Sequence, residues 1–196
     1  INVVILRLLQ ETGISADNIY LLSAAGNSTM THLLLGVSPE NIAAAPFVPA
    51  FTGSIHLDAA QLGIRVPAYC KMVILPHVSG YVGSDTVAAI LATRMHEKQG
   101  SWLLIDIGTN GEIVLAVNSK MTACSTAAGP AFEGGGITCG MMAAGGAISR
   151  VSIDDDVHIA VLGTGKPRGV CGSGLVDAVA SLLTAGVIAD NGRIIT

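Results

Sequence analysis

Apolar residues recur at Ile1, Ile5, Leu8 and Leu9, the spacing of one helical face, and Gly13 stops the run. Two short unbroken apolar runs, Ile19 to Ala25 and Cys70 to Leu75, read as strands, the second ending at Pro76. Between them, Gly26-Asn27-Ser28-Thr29 opens a helix through Leu35, with Asn27 or Ser28 as N-cap and Gly36 as stop. Pro39 to Pro49 is irregular, and Leu57 to Val66 is amphipathic but short. After the glycine-marked turn His77 to Gly83, Ser84 or Asp85 caps a helix reaching about Lys98. Val87, Ile90, Leu91 and Met95 lie on its inner side, with Arg94, Glu97 and Lys98 facing solvent.

The second half is organised around Leu103 to Val117, LLIDIGTNGEIVLAV. A buried apolar strand ends in Asp106, and a second run covers Ile113 to Val117. Asn110-Gly111 between two such runs predicts a tight I′ hairpin turn, in which both central residues need φ > 0. The same residues admit a sharper reading. A carboxylate at a strand end can hold Mg²⁺, and the backbone N–H groups of Gly108, Thr109, Asn110 and Gly111 can form a nest for phosphate oxygens. The residues alone leave both readings open. Met121 to Ser125 adds a third strand, and Pro130 suits the first turn of a helix with Glu133 near its N-terminus. Ala147 to Ile153 and Val157 to Leu162 pair around Asp154-Asp155-Asp156, a solvated turn. Gly172-Ser173-Gly174 precedes a helix, Leu175 to Thr184, with Val176, Val179, Ala180 and Leu183 on its apolar face. Asn191-Gly192 marks another hairpin turn.

Composition narrows the class. The 196 residues are 51% hydrophobic and 12% charged, more apolar than an average soluble domain. Much surface is therefore expected to be covered by the chain itself, a partner or further sequence. The longest charge-free stretch, Asn18 to Pro39, is interrupted by Asn27, Ser28, Thr29, Thr31 and His32, so it is not a membrane span. No secretory signal is visible at the start, and a cytoplasmic protein is expected. A net charge of −4 with few Lys and Arg gives no nucleic-acid footprint. Cys70, Cys124, Cys139 and Cys171 contain no C-x-x-C and read as small buried hydrophobes.

Two familiar nucleotide motifs fail on inspection. Gly163-Thr164-Gly165-Lys166 lacks the earlier Gly of a Walker loop (Ala160 stands there) and is followed by Pro167, not Ser or Thr. The dinucleotide fingerprint fails at Arg168. Helix starts preceded by glycine remain: Gly26-Asn27 and Gly172-Ser173-Gly174 are places where anions sit, or plain caps.

Five blocks in order, GNSTMTHLLLG (26–36), HVSGYVGSD (77–85), LLIDIGTNGEIVL (103–115), ACSTAAGPAFEGGGI (123–137) and GVCGSGLVDAVASLL (169–183), resemble the C-terminal domain of the reductive activators of corrinoid-dependent proteins. The resemblance covers nearly the whole chain. It implies an α/β, RNase H-like actin-like ATPase (ASKHA) fold of mixed sheets flanked by helices. Two lobes are expected, residues 1–98 and 99–196, incomplete at both ends, with ATP and Mg²⁺ in the cleft. Asp106 to Gly111 matches the second phosphate loop, making Asp106 a catalytic residue and metal ligand. Asp85 comes near the metal and γ-phosphate as a second catalytic residue. Gly26, Asn27, Gly172, Ser173 and Gly174 join the phosphate-binding set.

Full-length members of that family carry a ferredoxin domain with a 2Fe-2S cluster, for which this chain has no cysteine quartet. The implied function is ATP-driven electron transfer that returns a corrinoid (cobalamin-binding) protein from Co(II) to Co(I), serving methyltransferase systems. The partner is that corrinoid protein, with a homodimer left open. Three alternatives use the same residues: a small-molecule kinase, a dehydratase-type activator ligating a cluster through Cys124 or Cys139, and a nucleotide-free docking module.

Overall fold

The computed structural model describes residues 1–195; Thr196, the last residue of the expected second lobe, lies outside them. Contacts divide the chain into two units, Ile1–Ile105 with Glu112–Ser125, and Asp106–Gly111 with Thr126–Thr196.

In the first unit, α1 (Asn2–Thr12) ends at Gly13 in the left-handed region, φ 68°. Asn2 anchors the start of α1: its amide donates to Gly63 O at 3.0 Å and accepts from Arg65 N at 2.8 Å. Strand β1 (Leu21–Ala24) leads into α2 (Ser28–Leu34). The Asn27 side chain caps α2 by accepting from Met30 N at 2.9 Å. A single helical turn, α3 (Glu40–Ala43), follows. β2 (Ile55–Asp58) and β3 (Lys71–Ile74) complete a three-stranded sheet of order β1-β3-β2, in which β1 is parallel and β2 antiparallel to β3. Its core gathers Ala59, Ile64, Cys70, Met72 and Ile74.

Helix α4 (Ser84–Thr93) stops earlier than its pattern predicts. Arg94 turns left-handed at φ 51°, and one 3-10 turn, Met95–Glu97, follows. The kink brings Met95 into a core with Ile90, Val114 and Ala116, while Leu91, expected inside, is 48% exposed. Strands β4 (Ser101–Ile107), β5 (Asn110–Val117) and β6 (Lys120–Ala127) form a sheet in that order.

The hairpin exists, but its turn is not Asn110-Gly111. Both residues already belong to β5, neither has positive φ, and the loop is Gly108-Thr109. Tertiary bonds set this register: Thr109 O accepts from Ala128 N at 3.1 Å and Gly129 N at 2.8 Å. Strand β4 is also not buried. Leu103, Ile105 and Ile107 are 60%, 54% and 63% exposed.

In the second unit, Pro130–Glu133 is one 3-10 turn rather than a helix start, ended by Gly134 at φ 85°. Glu133 therefore closes this turn instead of opening a helix. β7 (Ala147–Ile153) pairs antiparallel with β8 (Val157–Val161) around the three aspartates, and parallel with β9 (Gly169–Val170), giving the order β8-β7-β9. Helix α5 (Gly172–Thr184) packs on β7. Its packed side is small and polar: Ser173 Oγ donates to Ser149 O and Ser181 Oγ to Val151 O, at 3.0 and 3.1 Å. Small side chains bring the helix within reach of strand carbonyls. The stripe Val176, Val179 and Leu183, expected to be buried, is half exposed beside Phe132. Ala189 N donates to Arg193 O at 2.8 Å around Gly192, so the turn near Asn191-Gly192 forms. Of the four cysteines expected in the core, Cys70 and Cys171 are buried and Cys124 and Cys139 are exposed.

Candidate functional site

The predicted residues fall into one group in each unit. In the first, the turn after β1 meets the start of α4. Gly26 N donates to Ser84 Oγ at 3.0 Å, and Gly26 O accepts from Ser84 N at 3.0 Å and Ser84 Oγ at 2.9 Å. Both polar groups of Gly26 are thus spent on joining two helix starts. Gly83 allows this approach: a Cβ there would stand 2.6 Å from Asn27 Cα and 2.8 Å from Gly26 O. Asp85 emerges next, half-buried, its Oδ1 accepting from Thr86 N at 2.9 Å. Gly26, Asn27 and Asp85 therefore stand together, with Asn27 and Gly26 engaged as cap and clamp.

Behind them lies a polar cluster that sequence reading missed. His32 and His77, with Ser28 and Thr31, are at most 6% exposed. Burial and the neighbouring His32 push the His77 imidazole below its ordinary value, Asp85 opposing. The histidines looked scattered in sequence. The usable signal was the polar pattern Ser28-x-x-Thr31-His32 on a helix expected to bury one face.

In the second unit, the hairpin end meets the turn before Gly134. Thr109 Oγ1 donates to Glu133 Oε1 at 2.8 Å. Gly108 N donates to Asn110 O at 3.3 Å. Asp106 is exposed, and its carboxylate accepts no protein hydrogen bond among the described residues. A cavity of about 500 Å³ opens here, lined by Ile107, Phe132, Glu133 and Met142 and, from the start of α5, by Cys171, Gly172 and Ser173. Gly174 faces β7 instead: a Cβ there would sit 2.2 Å from Ile148 O. The Ser173 hydroxyl and the N–H groups at the start of α5 pull the buried Cys171 thiol below its ordinary value, against the opposing effect of burial. Negative charge is favoured at this helix start, as its dipole requires. No group of three or more His, Cys, Asp or Glu able to hold a metal is found among the described residues, and no helix among them is long and apolar enough to cross a membrane.

Residues 1–98 match the family profile described as the RACo middle region, and residues 101–196 match the C-terminal domain of RACo, the ASKHA domain. The chain belongs to the RACo family. A solved protein described as a reductive activator for corrinoid, iron-sulfur protein superposes with a TM-score of 0.89 at 40% identity, over 100% of this chain and 32% of its own. The corrinoid activation enzyme RamQ of Eubacterium limosum is 37% identical over 193 residues, 98% of this chain and 32% of its own length. The [Co(II) methylated amine-specific corrinoid protein] reductase of Methanosarcina barkeri is 36% identical over 89 residues, 45% of this chain and 16% of its own. The chain thus spans about a third of its first relatives. The sequence reading assigned nearly all of it to the C-terminal domain of this family; its first half matches the RACo middle region.

Proposed function

We propose that this chain is the nucleotide-responsive part of a protein that reductively reactivates a corrinoid protein from Co(II) to Co(I), using ATP with Mg²⁺. The family supports the role, and one observation carries the nucleotide reading. The cavity beside Glu133 ends on the first turn of α5, at Cys171, Gly172 and Ser173, where the helix dipole favours an anion. A phosphate fits that donor set. Mg²⁺ is usually held by one or two carboxylates together with substrate phosphates. Asp106, exposed and uncommitted, is the proposed ligand, and the metal would offset repulsion between Glu133 and a phosphate.

In this reading Gly108, Thr109, Asn110 and Gly111 shape the phosphate loop, with Thr109 held by Glu133. Gly172 and Ser173 face the phosphate end. Gly26 and Asn27 support the α4 start that presents Asp85, a second catalytic carboxylate. Gly174 contributes by close packing. Bound ATP would supply the free energy for an uphill one-electron reduction. The electron would come from a 2Fe-2S cluster elsewhere in the whole protein. Cys70 packs among Ala59, Ile64, Met72 and Ile74 and is closed to such a cluster.

The test is Asp106→Asn in the full-length protein. Loss of a metal-holding carboxylate at a phosphoryl-transfer site is expected to lower ATP hydrolysis and corrinoid reactivation by about a hundredfold or more, with the cluster spectrum unchanged. Full reactivation by the variant would sink the proposal.

A further inference from the structure

The buried cluster in the first unit is knit together by hydrogen bonds. Ser28 Oγ donates to Ser79 O at 3.0 Å and lies 2.9 Å from His77 Nδ1. His77 Nε2 lies 3.0 Å from Thr31 Oγ1, whose hydroxyl also reaches Ser28 O at 2.9 Å. His32 Nε2 accepts from Ala50 N at 3.0 Å, which puts the His32 proton on Nδ1, facing Ser28 O at 2.6 Å. Phe51 stacks on His32 with ring centroids 4.4 Å apart, and meets His77 edge-on at 5.2 Å. An apolar core could fill this space, yet four polar side chains occupy it, each with a hydrogen-bond partner.

The cluster ties the first turn of α2 to the turn 77–83. That turn is closed on itself, because Val78 N and Ser79 N donate to Val82 O at 3.0 and 3.2 Å and Val82 N donates to Ser79 Oγ at 3.2 Å. Its near end is fixed by His77, whose N–H also donates to Thr52 O at 2.8 Å. Its far end is Gly83, and Asp85 follows two residues on. A displacement at His77 therefore reaches Asp85 through a stiff link of a few residues.

We propose that His77 is a positioning residue for Asp85: its imidazole bolts the 77–83 turn to Ser28 and Thr31 and thereby sets where α4 begins. This rests on the reading that Asp85 serves ATP hydrolysis, so the experiment has two independent arms. In the full-length protein, His77→Phe keeps a ring but removes both bonds, and His77→Asn restores a hydrogen-bonding group toward Ser28. Amide hydrogen exchange is expected to quicken about tenfold at Ser84 and Asp85 in His77→Phe while Met72 and Val73 in β3 stay protected. With ATP as substrate, kcat falls about tenfold or more and KM stays within about twofold, because misplacing a catalytic group costs turnover rather than binding. His77→Asn recovers most of both effects.

Exchange at Ser84 and Asp85 that is unchanged, or that rises equally in β3, overturns the proposal and leaves His77 a core residue. Hydrolysis untouched by Asp85→Asn would instead remove Asp85 from the chemistry, while the exchange arm still decides whether His77 holds the start of α4.

Discussion

Thr109 and Glu133 are joined by a 2.8 Å hydrogen bond from hydroxyl to carboxylate, tying the loop of the β4–β5 hairpin to the 3-10 turn beside it. Both residues are exposed, so the bond contributes little to global stability, about 1 kcal/mol or less. Its expected value is local. Thr109→Val in the full-length protein should weaken Mg-ATP binding about three- to tenfold by calorimetry, with thermal unfolding nearly unmoved. A large fall in stability with unaltered binding would reverse that assignment.

His77 makes stability depend on acidity. Its imidazole is held below the ordinary 6.5, first by burial and then by His32. The folded chain therefore binds fewer protons than the unfolded chain at acidic pH. Stability from this site is fully present above about 6.5 and is lost as pH falls below that value. Thermal unfolding midpoints between pH 8 and pH 5 should decline on the acid side in the native chain. The part of the decline due to this group should vanish in His77→Asn.

Gly174→Ala places a methyl 2.2 Å from Ile148 O, where backbone must move. The expected cost is about 1–3 kcal/mol or more, read as a lower urea midpoint. Gly100→Ala is the contrasting control: nothing lies within 4 Å of its added Cβ, so only its φ of 86° opposes it.

Thiol labelling under native conditions should count two fast cysteines, Cys124 and Cys139, and two that react only on unfolding, Cys70 and Cys171. Cys171 is the sharper case. Its thiol is pulled toward the reactive thiolate, yet 2% exposure withholds it from reagents. Fast labelling of three residues would show that the cavity beside it admits them.

Local chemistry was legible in the sequence where one rule acted alone. Gly13 ended α1, Asn27 capped α2, and the aspartates after Ile153 turned one strand into the next. It failed where distant contacts competed with local preference. Asn110-Gly111 favoured a tight turn, but the bonds from Ala128 and Gly129 to Thr109 set another register. The stripe on α5 had the right period for a buried face, yet Gly174 and Ser181 won because their small size admits the β7 backbone. At the site, the hairpin and the glycine-led helix starts could be read from spacing. The pairing of Gly26 with Ser84, 58 residues apart, and the cluster behind it could not, since no local pattern encodes a partner that remote.

The bare apolar row on β4 has a practical consequence for anyone handling these 196 residues alone. Leu103, Ile105 and Ile107 present greasy side chains to water on a chain carrying a net charge of only −4. Excluded salts such as sulfate strengthen the drive to hide such surface. Ammonium sulfate should therefore precipitate the isolated piece early, and buffers of low ionic strength should keep it dispersed.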